Sequence, residues 1–374
     1  MNLIHVLGSR QYGGADQFYV RLVNALHEAG HHIVAVNRPG SPVARALDRT
    51  GVAQHRLPLA NQWDFVSVLR LRRLIARERP AVVQTYMGRA TRLTRVPRAS
   101  PARHIARLGG YYKLRGYYEH CDAWVGNTRG VCDYLVREGM PAARVFHIGN
   151  FVTGPRAFAE EERDGLRQML ALPEDAIVLL ALGRFIGVKG FDTLILALAA
   201  MRTESHGRPV HLVLVGDGRL REPLQALAGE TGVAGRVHWP GWHDDPEPFF
   251  AIADVLVCPS RHETLGNVIL EGWSHALPVV ATMTPGACEL ITDEGNGLLV
   301  PVGDPEALAF RIQALLNADD DSWRRLVDAG TLEILRHHAP DAVVAAYTAL
   351  YERVAAMPRR HARIARRLMS SRAG

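Results

Sequence analysis

Short apolar runs alternate with amphipathic stretches along almost the whole chain. Leu3–Leu7, His32–Val36, Ala81–Thr85, His104–Leu108 and Ala123–Gly126 are runs of strand length with little polar interruption, the pattern of parallel strands covered on both faces. Between them, segments such as Asp16–Ala29 and Trp63–Arg77 place apolar residues at helical spacing. A second series runs through Ile177–Leu182, His211–Val215, Val237–Trp239, Val255–Cys258, Pro278–Ala281 and Leu298–Val300. Strands alternating with helices predict parallel βαβ units, and two such series predict two doubly wound α/β domains.

Residues 150–175, between the two series, lack a strand pattern. They contain Gly154-Pro155 and the acidic run Glu160-Glu161-Glu162, and read as an interdomain connection. The first domain is therefore placed at residues 1–155 and the second at 175–339. After Pro340 the pattern is helical again over Ala342–Val354, and the segment 340–374 is expected to pack back on the first domain. A chain of 374 residues with 48% hydrophobic content has enough apolar material for two full cores, which excludes a disulfide miniprotein or a disordered tail.

Charge changes this picture locally. The formal net charge is +6, and it is concentrated. Residues 70–115 hold thirteen basic residues against Glu78 alone, and residues 357–374 carry six arginines and no acid. Arg70, Arg73 and Arg77 share a helical face, with Leu71, Leu74 and several tyrosines nearby. Basic amphipathic segments of this kind suit an anionic membrane surface, although solvated helix faces written in arginine would look the same.

Cys121, Cys132, Cys258 and Cys288 form neither a C-x-x-C nor a zinc spacing, as in a protein of a reducing cytoplasm. The N-terminal apolar run is short and lacks a basic lead, so it reads as a first strand rather than a signal peptide. No stretch approaches the roughly 18 apolar residues of a membrane span.

Ligands of open α/β sheets bind beyond the carboxyl ends of the strands, so the loops there are the candidate sites. After the first strand comes Gly8–Asp16 with paired Gly13-Gly14, where backbone N–H groups can meet an anion; the same residues would serve a tight turn capped by Asp16. After the first strand of the second series comes Gly183-Arg184-Phe185-Ile186-Gly187-Val188-Lys189-Gly190. Arg184 and Lys189 can grip a diphosphate as a planar fork and a point charge. Lys113 and Lys189 are the only lysines among 44 basic residues, so a lysine in this loop points to a need for a compact ammonium. The third loop runs from Pro259 to Trp273: a strand ends at Ser260, a turn holds Glu263, a helix starts near Gly266, and Glu271 lies a turn or so inside it.

The E-x7-E of Glu263 and Glu271, the G-R-x4-K-G of residues 183–190, the Gly13-Gly14 loop, and the stretch from Pro278 through Gly286-Ala287-Cys288-Glu289-Leu290 to Gly297–Val300 resemble the retaining glycosyltransferases of family 4. The resemblance covers most of the chain, with the more specific motifs in the second domain. It implies a GT-B fold, two Rossmann-like domains facing across a cleft, with a nucleotide-diphosphate sugar held mainly by the second. Arg184 and Lys189 would neutralise the diphosphate, Glu263 would contact the transferred sugar, and Glu271 would accept from the ribose hydroxyls. Backbone N–H groups of Leu265, Gly266, Asn267 and Val268 would cap the leaving phosphate, with Gly14 approaching from the first domain. Catalysis would fall to Glu263, Lys189 and Arg184, with no cofactor and no metal.

The first-domain histidines common in that family are missing here. The matching stretches are Gln84–Arg89 and Ala106–Tyr112, which leaves Asp16, Tyr86, Arg89 and Arg107 as acceptor-side candidates, with His104 expected inside a strand. The acceptor would be a glycan or a lipid-linked precursor of lipopolysaccharide or cell-surface polysaccharide. The expected setting is a monomer in the cytoplasm, peripheral to the inner face of a bacterial inner membrane through residues 70–115 and 357–374.

Two other readings compete: a nucleotide-sugar epimerase or hydrolase on the same architecture, and a nucleic-acid-binding protein suggested by the pI near 9.3. The second leaves Glu263 and Glu271 without a purpose, and no nucleic-acid partner is expected. A nicotinamide dehydrogenase is disfavoured because G-x-G-x-x-G is absent.

Overall fold

The structure, a computed structural model, describes residues 1–10 and 12–360. The arginines of the C-terminal tail beyond Arg360, and the end of the segment expected to pack back, lie outside the described residues. The chain divides into two compact units, one comprising Met1–Asn150 with the chain from Pro340, the other Phe151–Ala339.

The first unit is built on seven parallel strands: β1 (Asn2–Leu7), β2 (His32–Asn37), β3 (Ala53–Arg56), β4 (Val82–Tyr86), β5 (Arg103–Leu108), β6 (Ala123–Gly126) and β7 (Val145–His147). Their order is β3-β2-β1-β4-β5-β6-β7, so the chain reverses its direction of progress between β1 and β4. The inner strands are buried along nearly their whole length, which is why they are legible as apolar runs.

Helix Pro340–Ala356 belongs to this unit. Tyr351 donates to Gln84 Oε1 at 2.9 Å, and Arg107 Nε donates to the Tyr347 hydroxyl at 3.2 Å. Buried hydroxyls need partners, and these bonds supply them across more than 200 residues of sequence.

The second unit repeats the plan with β8 (Ile177–Leu182), β9 (Glu204–Ser205), β10 (Arg208–Val215), β11 (Val237–Gly241), β12 (Val255–Cys258), β13 (Val279–Thr282) and β14 (Leu298–Val300). The parallel order is β11-β10-β8-β12-β13-β14, with β9 pairing antiparallel on β10. Here the reversal falls between β8 and β12, which are hydrogen-bonded neighbours.

Three strands have no counterpart in the hydropathy pattern: β3, β7 and β9. All are short and lie at the margins of their sheets, so their side chains alternate with solvent and form no apolar run. The acidic run read as part of a connection is the first turn of helix Glu160–Met169. Glu162 turns back to accept from the Ala159 N–H at 3.0 Å, three carboxylates face the positive helix end, and Leu166 enters the second unit's core. The acidic run Asp319-Asp320-Asp321 opens helix Asp320–Glu333, with Asp319 as its cap.

Candidate functional site

In the second unit the reversal point lies between β8 and β12, and the loops leaving the carboxyl ends of these two strands are the two charged loops singled out above. The first carries Lys189 in a single 3-10 turn, Gly187–Lys189. Its aliphatic stem lies against Gly183, where a Cβ would stand 3.3 Å from Lys189 Cε. Gly190 closes the loop at φ +65°, and a Cβ there would meet the Pro259 carbonyl oxygen at 2.0 Å. Only glycine lets the two loops touch at this point.

Lys189 Nζ forms an ion pair with Glu263 Oε1, which also accepts from Ser260 Oγ at 2.9 Å. Burial works against the lysine's charge, but the Glu263 carboxylate outweighs it and holds the ammonium above the usual lysine pKa. Cys258, at the end of β12, is pushed up to about 11 by burial and then by Glu263, so its thiol stays protonated. Arg184 is exposed and sits near enough to Lys189 to oppose its charge. Two cations converging at the end of a strand make an electropositive point.

Glu263 is held from behind as well. Its carbonyl accepts from the Gly286 N–H at 3.0 Å, and a Cβ at Gly286 would meet the Leu265 carbonyl oxygen at 2.5 Å. Leu265 is buried, and Gly266 caps helix Asn267–Ser274 in the left-handed region at φ +87°. Asn267 and Val268 form the first turn of that helix. Glu271 follows Asn267 by four residues, on the same helical face, and is half-buried. The structure thus gathers Lys189, Glu263 and the positive end of a helix around the ends of β8 and β12.

In the first unit the corresponding point is between β1 and β4. Gly13 caps helix Gly14–Glu28, and buried Asp16 accepts from the Gly13 N–H at 2.9 Å. Burial raises the Asp16 pKa, while the Gly13 bond works against that rise. Asp16 therefore closes the turn and stays within the loop that holds Gly14. Arg89, exposed, reaches across to the carbonyls of Leu59 at 3.3 Å and Gly8 at 3.5 Å.

Two acceptor-side assignments are corrected. Tyr86 is buried, its hydroxyl shared with Gln84 Nε2 at 2.7 Å and His5 Nδ1 at 2.9 Å, and its ring packs edge-on against Tyr19. Arg107 is also buried: its guanidinium lies 3.8 Å over the Phe18 ring and donates to Tyr347 and Asn150. Both side chains serve the core, because the aromatic helix from Pro340 covers them.

His104 is inside β5, as expected, bonded to Thr85 Oγ1 at 3.0 Å. It forms a cluster with half-buried His120 and buried Cys121. The Cys121 sulfur is 3.7 and 3.9 Å from the two His104 ring nitrogens, so it sits abreast of the ring rather than on either lone-pair line. His120 Nε2 is already committed to the carbonyls of Thr91 and Thr94.

Three participants have no assigned role in the sequence reading. Ser260 orients Glu263. Arg261 makes a bidentate pair with Asp192, both bonds 2.7 Å, and donates to the Gly187 carbonyl at 2.8 Å, tying the Lys189 loop to the Glu263 loop. The Gly216-Asp217-Gly218 turn after β10 supports the first loop, Phe185 N–H donating to the Asp217 carbonyl at 2.8 Å. Its paired glycines were the available signal for the turn; nothing in sequence pairs Arg261 with Asp192, 69 residues away.

Residues 12–153 match the family model described as Glycosyltransferase Family 4, and residues 176–318 match that of Glycosyl transferases group 1. The chain is 36% identical over 341 residues to the lipopolysaccharide core biosynthesis glycosyltransferase LpsE of Rhizobium meliloti (strain 1021), covering 90% of this chain and 95% of LpsE. It is 33% identical over 358 residues to LpsD of the same organism, with 94% and 98% covered. Among solved structures it is similar to Anabaena Alr3699/HepE in complex with UDP-glucose, at a TM-score of 0.77 and 18% identity over 94% of this chain and all of that one.

Proposed function

The chain belongs to the family 4 (group 1) glycosyltransferases, and from that premise we propose that it builds lipopolysaccharide core or a related cell-surface polysaccharide, moving a sugar from a nucleoside-diphosphate donor to a glycan or lipid-linked acceptor. It is a retaining glycosyltransferase of GT-B fold. The observation that carries the finer reading is the convergence of Lys189, Glu263 and the start of helix Asn267–Ser274 at the reversal point of the second sheet.

The chemistry follows from charge. As the glycosidic bond breaks, negative charge grows on the diphosphate, and cations fixed beforehand stabilise that charge without reorganising. Lys189 and Arg184 supply the cations, and the helix beginning at Asn267 adds its dipole through the Leu265–Val268 backbone. Glu263 contacts the transferred sugar and Glu271 the ribose. When the donor enters, Lys189 exchanges a carboxylate partner for the diphosphate, which leaves Glu263 to accept from sugar hydroxyls. Arg89 and the Gly14 turn remain the acceptor-side candidates.

Support for the acceptor class comes from LpsE and LpsD, whose names place them in lipopolysaccharide core biosynthesis, and support for a nucleotide hexose donor comes from the UDP-glucose complex of HepE. Such acceptors are assembled at the inner face of the bacterial inner membrane, where this reading puts the enzyme. No helix among the described residues is long and apolar enough to cross a membrane.

The test is thermal-shift binding with UDP, GDP, ADP and CMP and their common sugar conjugates, repeated on Lys189→Ala, followed by product analysis with a lipopolysaccharide-core acceptor. Stabilisation by one nucleoside diphosphate that is lost in the variant, with sugar transfer unaffected by a chelator, is the expected result. Donor consumption equal with and without acceptor would point to a hydrolase instead.

A further inference from the structure

Three arginines gather beyond the carboxyl ends of the first unit's central strands. Arg38 directly follows β2, Arg10 lies three residues past the end of β1, and Arg89 lies three past the end of β4. Leu7 and Tyr86, the last residues of β1 and β4, are paired in register, and β2 lies on the other side of β1. The three loops therefore start from one edge of the sheet. That edge is where the strand order reverses, the usual place for a ligand of an open α/β sheet.

Two of these side chains are drawn to a single oxygen. Arg38 Nη1 donates to the Leu59 carbonyl at 2.7 Å, and Arg89 Nη1 donates to the same carbonyl at 3.3 Å. Leu59 is buried, its N–H donates to Ser67 Oγ at 3.1 Å, and its backbone lies in the left-handed region at φ +42°, which disfavours a leucine. The core thus fixes the carbonyl, and the carbonyl fixes two like charges side by side. A neutral oxygen accepts from both guanidiniums but cancels neither charge. One arginine would satisfy that carbonyl, so the second adds repulsion and fills no vacancy in the packing.

No carboxylate neutralises the group. Arg10, Arg38 and Arg89 make no ion pair with the described residues. Asp64, the acid that acts on Arg38, is already spent as a helix cap, accepting from Ala60 and Ser67. Burial holds Arg38 below the usual arginine pKa, Arg10 and Arg89 push it further down, and Asp64 offsets only part of this. Arg38 is half-buried and the other two are exposed, so a ligand can reach the guanidinium edges that Leu59 does not occupy.

We propose that Arg38, Arg89 and Arg10 bind a phosphate group carried by the sugar acceptor, so that the enzyme selects phosphorylated acceptors. Guanidinium forks match the oxygens of a phosphate, and three cations suit its double charge better than the single charge of a carboxylate. A bound phosphate turns three repelling charges into partners, which a neutral sugar cannot do. Arg89 then acts as one of three specificity-determining residues, and the carbonyl of Leu59 positions two of them. The inference rests on the glycosyltransferase reading given above and deepens it by assigning the chemical class of the acceptor.

The test combines binding with transfer. Titration calorimetry of the full chain should show binding of inorganic phosphate and glucose 6-phosphate, weakened by salt, with glucuronate roughly tenfold weaker and glucose inert. Arg38→Gln with Arg89→Gln should weaken phosphate binding on the order of tenfold or more. Arg10→Gln should weaken it several-fold; its side chain is exposed, so this variant keeps the wild-type melting temperature even if the double variant folds poorly. Phosphate binding should persist in Lys189→Ala, and nucleotide binding should be unchanged in the arginine variants. In the transfer assay, stripping phosphate esters from a lipopolysaccharide-core acceptor with aqueous hydrofluoric acid should raise the acceptor KM roughly tenfold with little change in kcat. The arginine variants should no longer distinguish the two acceptors. No binding of either phosphate probe would overturn the proposal, as would glucuronate binding equally well or phosphate binding that is lost in Lys189→Ala. Transfer with the same KM to intact and stripped acceptors would also overturn it, while leaving the lipopolysaccharide reading in place. Phosphate binding that depends on the three arginines, without transfer to any core acceptor, would support the site and remove the lipopolysaccharide reading instead.

Discussion

Lys189 and Glu263, 74 residues apart in sequence, form an ion pair that joins the loops leaving β8 and β12. The pair binds together the two strands between which the second sheet reverses, and it holds the ammonium charged at the place where a diphosphate is proposed to sit. Lys189→Ala should lower turnover by roughly two orders of magnitude, the cost of losing a single preorganised donor to a developing anion. Glu263→Gln keeps the shape and loses the charge; it should reduce turnover more than donor affinity. Steady-state kinetics with a saturating acceptor separate the two effects, and wild-type rates in both variants would remove the site assignment.

Arg261 and Asp192 make the second link between the same loops, at the surface. Exposed pairs contribute about 0–1 kcal/mol to stability, so Arg261→Ala should leave the melting temperature nearly unchanged. It should raise the donor KM several-fold by loosening the Lys189 loop. Arg261→Lys should not restore it, since an ammonium cannot reproduce a two-point fork. A KM equal to wild type in both variants would show that the link is not used for positioning.

Gly190→Ala tests the contact between the loops. The added Cβ would fall 2.0 Å from the Pro259 carbonyl oxygen, at a backbone angle that suits glycine. The expected cost is about 1–3 kcal/mol, with loss of nucleotide binding at temperatures where the protein is still folded. Thermal melts with and without the nucleotide identified by the binding screen read both effects.

Arg107 was a candidate for touching the acceptor and is instead clamped between Phe18, Tyr347 and Asn150. Arg107→Ala should therefore destabilise the protein by roughly 2–5 kcal/mol, as a large buried side chain does when truncated, with the guanidinium's hydrogen bond to Asn150 Oδ1 lost as well. Chemical denaturation measures it. An unchanged stability with a selective loss of acceptor turnover would reinstate the contact.

Burial holds several histidines neutral. His5 and His120 lie at about 3 and about 4, with burial the largest cause, and His211 at about 4 through burial and then His238. The folded state binds fewer protons than the unfolded chain, whose histidines titrate near 6.5. Their contribution is fully present above that pH and is lost as the pH falls towards 4. Urea midpoints should be level from neutrality upward and fall below about pH 6; a midpoint that holds steady to pH 4 would contradict this.

Much of the fold was legible in order along the chain. Ala123–Gly126, Ile177–Leu182, Val255–Cys258 and Leu298–Val300 coincide with strands residue for residue, because a strand covered on both faces must be apolar throughout. The loop motifs were legible too, since a glycine at a close approach or a lone lysine among arginines is a local choice. Edge strands β3 and β7 were not, having solvent on one side. The exposed Trp63, Phe65, Val66 and Leu69 were hidden as well: an amphipathic pattern shows that a helix has an apolar face, and does not show that a second apolar group is left outside.

By itself, the sequence determined two series of βαβ units, the loops at their strand ends and the family to which they belong, because periodicity, glycine placement and charge are properties of neighbouring residues. The tertiary structure decided which of the charged residues meet. Lys189 found Glu263 and Arg261 found Asp192 through parallel strands brought side by side, whereas Tyr86 and Arg107 were taken into the core by a helix from the other end of the chain. Such pairings depend on burial and on the order of strands in a sheet, and neither quantity is written in the spacing of residues along a chain.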